Sequence, residues 1–183
     1  MTAADAERPT HADANHPRIP KEKVGVLIAN LGTPNATDYW SMRRYLGEFL
    51  SDQRVIDYPR WKWQPILQAI VLTVRPFKSG AAYRTIWNNE QDESPLMTIT
   101  KDQVSAISAA LASKFGDSVM VDYCMHYGNP STRSKVEALA AQGCTKILFF
   151  PLYPQYAGAT TATANDAFFR ALMDENWQPA ART

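Results

Sequence analysis

The chain has 183 residues, 45% hydrophobic and 20% charged, the make-up of an ordinary globular protein at the upper end of single-domain size. A net charge of +1 removes the electrostatic case for a nucleic-acid partner. The longest apolar run, Ile66–Val74, is interrupted by Gln68 and falls far short of the ~20 residues that a membrane span needs.

Residues 1–23 are rich in Ala, Asp, His, Pro and charge, and hold no apolar stretch fit to act as a signal sequence, so they predict a disordered tail. Asp5, Glu7 and Asp13 argue against an organelle transit peptide, and His11 and His16 in this tail are assigned no metal. Val24–Leu31 is nearly continuous in apolar residues and is closed by Gly32-Thr33-Pro34, which predicts a central strand. Met42, Tyr45, Leu46, Phe49 and Leu50 recur at helical spacing, so residues 37–50 predict a helix capped by Thr37 or Asp38. Arg54–Tyr58 is apolar at alternate places and predicts a second strand. Trp61, Trp63, Ile66, Leu67, Ile70, Val71 and Val74 mark an amphipathic helix, broken near Pro76 and resumed as a short helix to Trp87. Asn88–Glu93 reads as a polar loop.

The next helix spans residues 98–115 on a stripe of Val104, Ile107 and Leu111, with Gly116 as its stop. Val119–Met125 predicts a strand, and residues 130–142 a helix capped by Asn129 or Ser131 and ended by Gly143. Lys146–Phe150 lacks alternation, the pattern of a strand covered on both faces. A last helix covers residues 161–176 with Phe168 and Leu172 on one side, and Trp177-Gln178-Pro179 reads as a connection into another strand. Cys124 and Cys144 fall in or beside strands and fit no metal spacing; they read as small buried hydrophobes of a reducing compartment. Strands alternating with helices imply parallel pairing through right-handed crossovers. The predicted fold class is therefore α/β, a doubly wound parallel sheet whose far half is missing at the C-terminal end.

Residues 149–166, Phe-Phe-Pro-Leu-Tyr-Pro-Gln-Tyr-Ala-Gly-Ala-Thr-Thr-Ala-Thr-Ala-Asn-Asp, say most about chemistry. Pro151 and Pro154 stop the strand ladder, and Tyr153, Gln155 and Tyr156 follow at the strand's carboxyl end, where open α/β sheets bind ligands. From the residues alone this bend is either a pocket wall or a structural turn with tyrosines packed on the neighbouring helix. The same pair of readings holds for His126, the only imidazole beyond the tail, which lies just past a strand end. The sequence has no Gly-x-Gly-x-x-Gly, Walker, His-Glu-x-x-His, Cys-x-x-Cys or Gly-x-Ser-x-Gly pattern.

Four blocks in order, Leu27–Pro34, Tyr45–Asp52, Met125–Pro130 and Phe150–Asp166, make the chain resemble the ferrochelatases. Members of that family insert ferrous iron into protoporphyrin IX to make protoheme, the last step of heme biosynthesis, between two similar doubly wound halves. The resemblance covers nearly all of residues 24–178 and implies that this chain is the first half. It implies substrate contact for Leu31, Arg75, Tyr83, Ser94 and Tyr153, with Arg75 and Ser94 meeting the porphyrin's propionates. It matches His126 and Tyr127 to an Arg-Tyr pair lining the active site, so both are pocket-wall candidates; no catalytic or metal-ligating residue is assigned here. For Arg75 the chemistry agrees, because a guanidinium forks onto a carboxylate.

Two departures stand out. His126 replaces an arginine of many members, and Gly158 stands where animal members have a cysteine ligating a two-iron cluster. Ferrous iron is expected as substrate, with no organic cofactor. The family's base and metal chemistry comes mostly from the second half, so this fragment alone is expected to be inactive. The expected location is the cytoplasm, at most peripheral to the inner membrane. The rival readings are a related tetrapyrrole chelatase inserting cobalt, a ligand-binding half-domain of the periplasmic-binder architecture, and an interaction module resting on Trp61 and Trp63. Those tryptophans would equally suit a membrane surface, although their helix lacks the usual basic face.

Overall fold

A computed structural model describes Ala6, Glu7 and residues 19–183, with side-chain environments from Lys21 onward. The predicted tail, including His11 and His16, lies mostly outside the described residues. The exceptions are β1 (Ala6–Glu7) and β2 (Ile19–Pro20), which pair antiparallel.

The frame is a four-stranded, all-parallel sheet in the order β4-β3-β5-β6. β3 (Lys23–Thr33) lies at its centre between β4 (Val119–Gly128) and β5 (Cys144–Pro151). β6 (Ala180–Arg182) adds to β5, the strand that the Trp177–Pro179 connection predicted. Paired residues share a face, so the register sorts the core. Leu27, Ala29, Cys124, Ile147 and Phe149 face α5 (Thr132–Ala141) and α6 (Thr163–Met173), where Val136, Leu139, Ala164, Phe168 and Leu172 close a dry layer. Phe149 and Phe168 stack with centroids 4.5 Å apart at its middle, and neither is exposed to solvent. Cys124 and Cys144 are free and buried. The opposite face carries α4 (Pro95–Phe115), tied to β3 by a buried hydrogen bond from Asn30 Nδ2 to Thr100 Oγ1 at 2.7 Å.

α4 packs over β4 and β3 and leaves β5 bare on that side, with Leu148 39% and Phe150 51% exposed. The expectation that β5 is covered on both faces is therefore corrected: it is buried on one. The unbroken apolar run reports a strand suited to cover on both sides. Among the described residues, no element supplies the second cover.

The helices between β3 and α4 form a second layer at the carboxyl end of the sheet. α1 (Tyr39–Ser51) starts at Asp38, whose carboxylate accepts the N–H groups of Trp40 and Ser41. α2 (Arg60–Ile66), a π-helical turn (Leu67–Val71) and α3 (Leu72–Ile86) follow as one bent rod. Met42, Tyr45, Leu46, Leu50, Leu67, Leu72 and Tyr127 make its core.

Two expectations fail in this layer. Residues 54–58 form a turn, because Val55 and Ile56 both donate backbone N–H groups to the Asp52 carbonyl, at 3.1 and 2.9 Å. Their apolar side chains pack on the helical layer, which explains the alternation without a strand. The helix does not break at Pro76 either. Pro76 cannot donate to the Leu72 carbonyl four residues back. That oxygen accepts instead from the Tyr39 hydroxyl at 3.1 Å and Arg43 Nη1 at 2.6 Å, so α3 runs through, and the irregularity falls at the π turn.

α4 begins at Pro95 because Ser94 caps it, its hydroxyl accepting from the Met97 N–H at 3.2 Å. Ser131 likewise settles the cap of α5. The last helix opens with a π-helical turn, Gly158–Ala162, three residues before its predicted start.

Candidate functional site

The carboxyl ends of β3, β4 and β5 point into the junction between the sheet and the helical layer. Gly32 has φ +109°, and a Cβ there would collide with the Tyr127 carbonyl, so only glycine lets β3 end against β4. This close approach sets Leu31 and Tyr127 beside the α1–α3 layer. Leu31, Tyr83 and Tyr127 join one cluster; Tyr83 meets Tyr45 edge-on at 6.5 Å, and Phe49 meets Tyr127 edge-on at 5.1 Å. The Tyr45 hydroxyl donates to the Gly32 carbonyl at 3.3 Å. Sequence-predicted residues from three distant segments thus form an aromatic and aliphatic shelf.

Beneath it lies a polar network that the sequence reading missed. The Tyr127 hydroxyl donates to Asp52 Oδ2 at 2.8 Å, and the Thr163 hydroxyl donates to the same oxygen. The Arg54 backbone N–H donates to Asp52 Oδ1 at 2.8 Å. His126 Nε2 lies 3.1 Å from Thr163 Oγ1 and 3.6 Å from Asp52 Oδ2. Arg54 forks onto Asp166 at 2.6 and 3.1 Å, which ties the turn after α1 to α6.

The electrostatics follow from this geometry. Burial alone would raise the Asp52 carboxyl, but the donors from Thr163, Arg54 and Tyr127, with His126 nearby, outweigh it and hold the group below its ordinary value. Burial, reinforced by the Asp52 carboxylate, pushes the Tyr127 hydroxyl far up. Burial also lowers His126 against the pull of Asp52, so the imidazole is neutral near pH 7. The 3.6 Å approach to Asp52 is therefore not an ion pair. The site therefore favours the neutral form of His126.

The remaining predicted residues lie around this centre. Tyr153 packs against the sheet core on the α6 side; its hydroxyl is buried without a partner among the described residues, and burial pushes it up to about 12. Tyr156 is 76% exposed. Ser94 is buried as a helix cap and lines a cleft of about 320 Å³ with Asn35, Asp92, Glu93, Lys101 and Tyr123, in which Lys101 pairs with Glu93. That volume is too small for a whole tetrapyrrole. Arg75 sits exposed on α3, apart from the shelf. Gly158 is exposed and carries no ligand atom. Of the two tryptophans read as exposed, Trp61 is 75% exposed, but Trp63 packs on the helical layer and donates to the Leu50 carbonyl at 2.7 Å. Among the described residues, no group of three or more His, Cys, Asp or Glu side chains could hold a metal, and no helix is long and apolar enough to cross a membrane.

A family model for ferrochelatase matches residues 23–183. The chain belongs to the ferrochelatase family. The chain is 67% identical over its whole length to a ferrochelatase of Rhodobacter capsulatus, covering 52% of that protein. It is 59% identical, over 93% of its length, to one of Agrobacterium fabrum, covering 49% of it. A ferrochelatase of Chelativorans sp. is 54% identical over the whole chain, which covers 51% of it. This ferrochelatase-family chain thus spans about half the length of the curated relatives it matches.

Asp52 and Thr163 could not be singled out from sequence. Both lie inside motif blocks, but Asp52 follows the end of a helix and Thr163 lies in a run of small residues, so nothing local sets either apart from its neighbours. Their meeting depends on contacts 111 residues apart.

Proposed function

We propose that this chain is the N-terminal half of an enzyme that inserts ferrous iron into protoporphyrin IX to yield protoheme, completing heme biosynthesis. The observation that carries the reading is whole-chain identity of 54–67% to proteins named ferrochelatase. In this reading Leu31, Tyr83 and Tyr127 cover one side of the macrocycle, with Tyr153 completing the wall at the end of β5. Arg75 forks onto one propionate. The second meets Ser94 at the N-terminus of the 21-residue α4, whose dipole favours an anion, although Asp92 and Glu93 also line that cleft and Lys101 is paired with Glu93.

Insertion requires a base for two pyrrole protons and a macrocycle bent so that its nitrogens meet the metal. His126 is the only described imidazole, and it is engaged beneath the shelf, so the base and the iron route belong to the second half. Iron enters as substrate, and Gly158 supplies nothing to a cluster. The bare face at Leu148 and Phe150 receives part of that second half, which accounts for apolar side chains exposed on an inner strand. The exposed row Trp61, Ile66, Ile70 and Val74 is the point of peripheral contact with the inner membrane of a cytoplasmic enzyme. The names of the relatives support iron over the cobalt reading.

The test compares the full-length protein with residues 1–183 in an anaerobic insertion assay. Full-length protein converts protoporphyrin to heme and the fragment does not. Metal insertion by the purified fragment overturns the division of labour, and an inactive full-length protein overturns the enzyme assignment.

A further inference from the structure

With Asp52 ionised, the contacts below Tyr127 fix which nitrogen of His126 faces Thr163 with a proton. The Asp52 carboxylate can only accept, and its Oδ2 takes hydrogen bonds from both the Tyr127 and the Thr163 hydroxyls. Thr163 has then spent its single proton. The contact of 3.1 Å between its oxygen and His126 Nε2 requires the ring to donate, which places the proton on Nε2. His126 Nδ1 is left as a bare acceptor, buried and without a partner among the described residues, in a side chain only 6% exposed. The Tyr127 hydroxyl is spent as well, so that residue offers its surroundings only the aromatic ring, tilted 52° against the imidazole at a centroid distance of 4.0 Å.

We propose that Asp52 and Thr163 are positioning residues: acting as a hydroxyl relay, they lock His126 as the neutral Nε2–H tautomer and turn the Tyr127 hydroxyl away from the shelf, leaving Nδ1 as the one acceptor of that imidazole. The relay joins the end of α1, the end of β4 and the first turn of α6, so it also holds the shelf at one height above the sheet. A carboxylate orienting a histidine through a second group follows the logic by which outer partners set the ring tautomer at functional histidines. The consequence for catalysis rests on the ferrochelatase reading. A wall whose acidic protons all point inward cannot reprotonate a macrocycle that must lose two protons.

The tautomer can be read without substrate. In full-length protein carrying ¹⁵N-histidine, two-bond proton–nitrogen correlations assigned by loss in His126→Gln should show protonated Nε2 and bare Nδ1 at pH 7.5. Thr163→Val keeps the shape and removes the hydroxyl, and should populate the Nδ1–H form at least about tenfold more, whereas Thr163→Ser should restore the native pattern. Asp52→Asn should shift the tautomers in the same direction as valine. In the insertion assay Thr163→Val should lower kcat by about tenfold with little change in porphyrin KM, and serine should rescue it.

A native protein with Nδ1–H or an imidazolium at pH 7.5 overturns the proposal. So does a valine variant that keeps the native tautomer, or a serine variant as altered as valine. Should Asp52→Asn fail to fold, the valine and serine pair decides the matter alone. The expected tautomer in an inactive native protein sinks the ferrochelatase reading and leaves the relay standing.

Discussion

Arg43 and Pro76 should be energetically coupled, because both act on the Leu72 carbonyl. In native α3 that oxygen loses its helical donor to Pro76 and accepts from Arg43 Nη1 at 2.6 Å and the Tyr39 hydroxyl at 3.1 Å. Replacing Arg43 with Met keeps the aliphatic stem and removes its donation to the Leu72 carbonyl. It also removes an exposed donation to Gln68 Oε1 at 3.1 Å, which is lost equally in either background and cancels in the coupling. A hydrogen bond from a charged group contributes about 1.5–3 kcal/mol. Tyr39 remains on the same oxygen and the guanidinium is only part-buried, so the expected cost is about 1–1.5 kcal/mol, near the low end of that range. Pro76→Ala restores a backbone N–H four residues from Leu72 and gives the carbonyl a donor of its own. In that background Arg43→Met should cost little, a coupling energy of about 1 kcal/mol. Urea unfolding of the native protein, both single variants and the double variant, followed by circular dichroism, measures the cycle; for a chain of this size, 1 kcal/mol corresponds to about 2–4 °C in Tm. An equal cost of Arg43→Met in both backgrounds refutes the claim that Arg43 substitutes for the missing helical donor.

Three further outcomes are expected. His126 is held below its ordinary value of 6.5 chiefly by burial, and Asp52 below 3.8 because its hydrogen bonds outweigh its burial. Each contribution to stability is therefore complete above the unfolded value and lost as pH falls through it toward the folded one, so Tm should drop on acidification in two stages. His126→Gln should abolish the upper stage, and a rise in Tm of the native protein between pH 7 and 5 would contradict the sign. Arg75→Ala in the full-length enzyme should raise the porphyrin KM more than it lowers kcat, and an unchanged KM counts against the propionate anchor. If a second half covers that face, as proposed, Phe150→Cys should react with a thiol reagent at least about tenfold faster in residues 1–183 than in the full-length protein; equal rates would show that the face stays open.

The sequence by itself determined the frame and the family. Apolar runs at Val24–Leu31 and Lys146–Phe150 and glycine stops at Gly116 and Gly143 act within a few residues, so pattern alone reaches them, whereas the caps at Ser94 and Ser131 were settled by the structure. The four motif blocks named the family without any geometry. Only the tertiary structure decided the rest. The alternation at Arg54–Tyr58 looks like a strand until Asp52 is seen to collect its backbone donors, and Pro76 looks like a break until Tyr39 and Arg43 are seen to replace the lost bond. The Asp52–Thr163–His126 relay is assembled from segments that meet only once the sheet is wound. Periodicity records which way a side chain faces; the partner it finds there, and whether that face is covered at all, are set by chain that returns from far along the sequence.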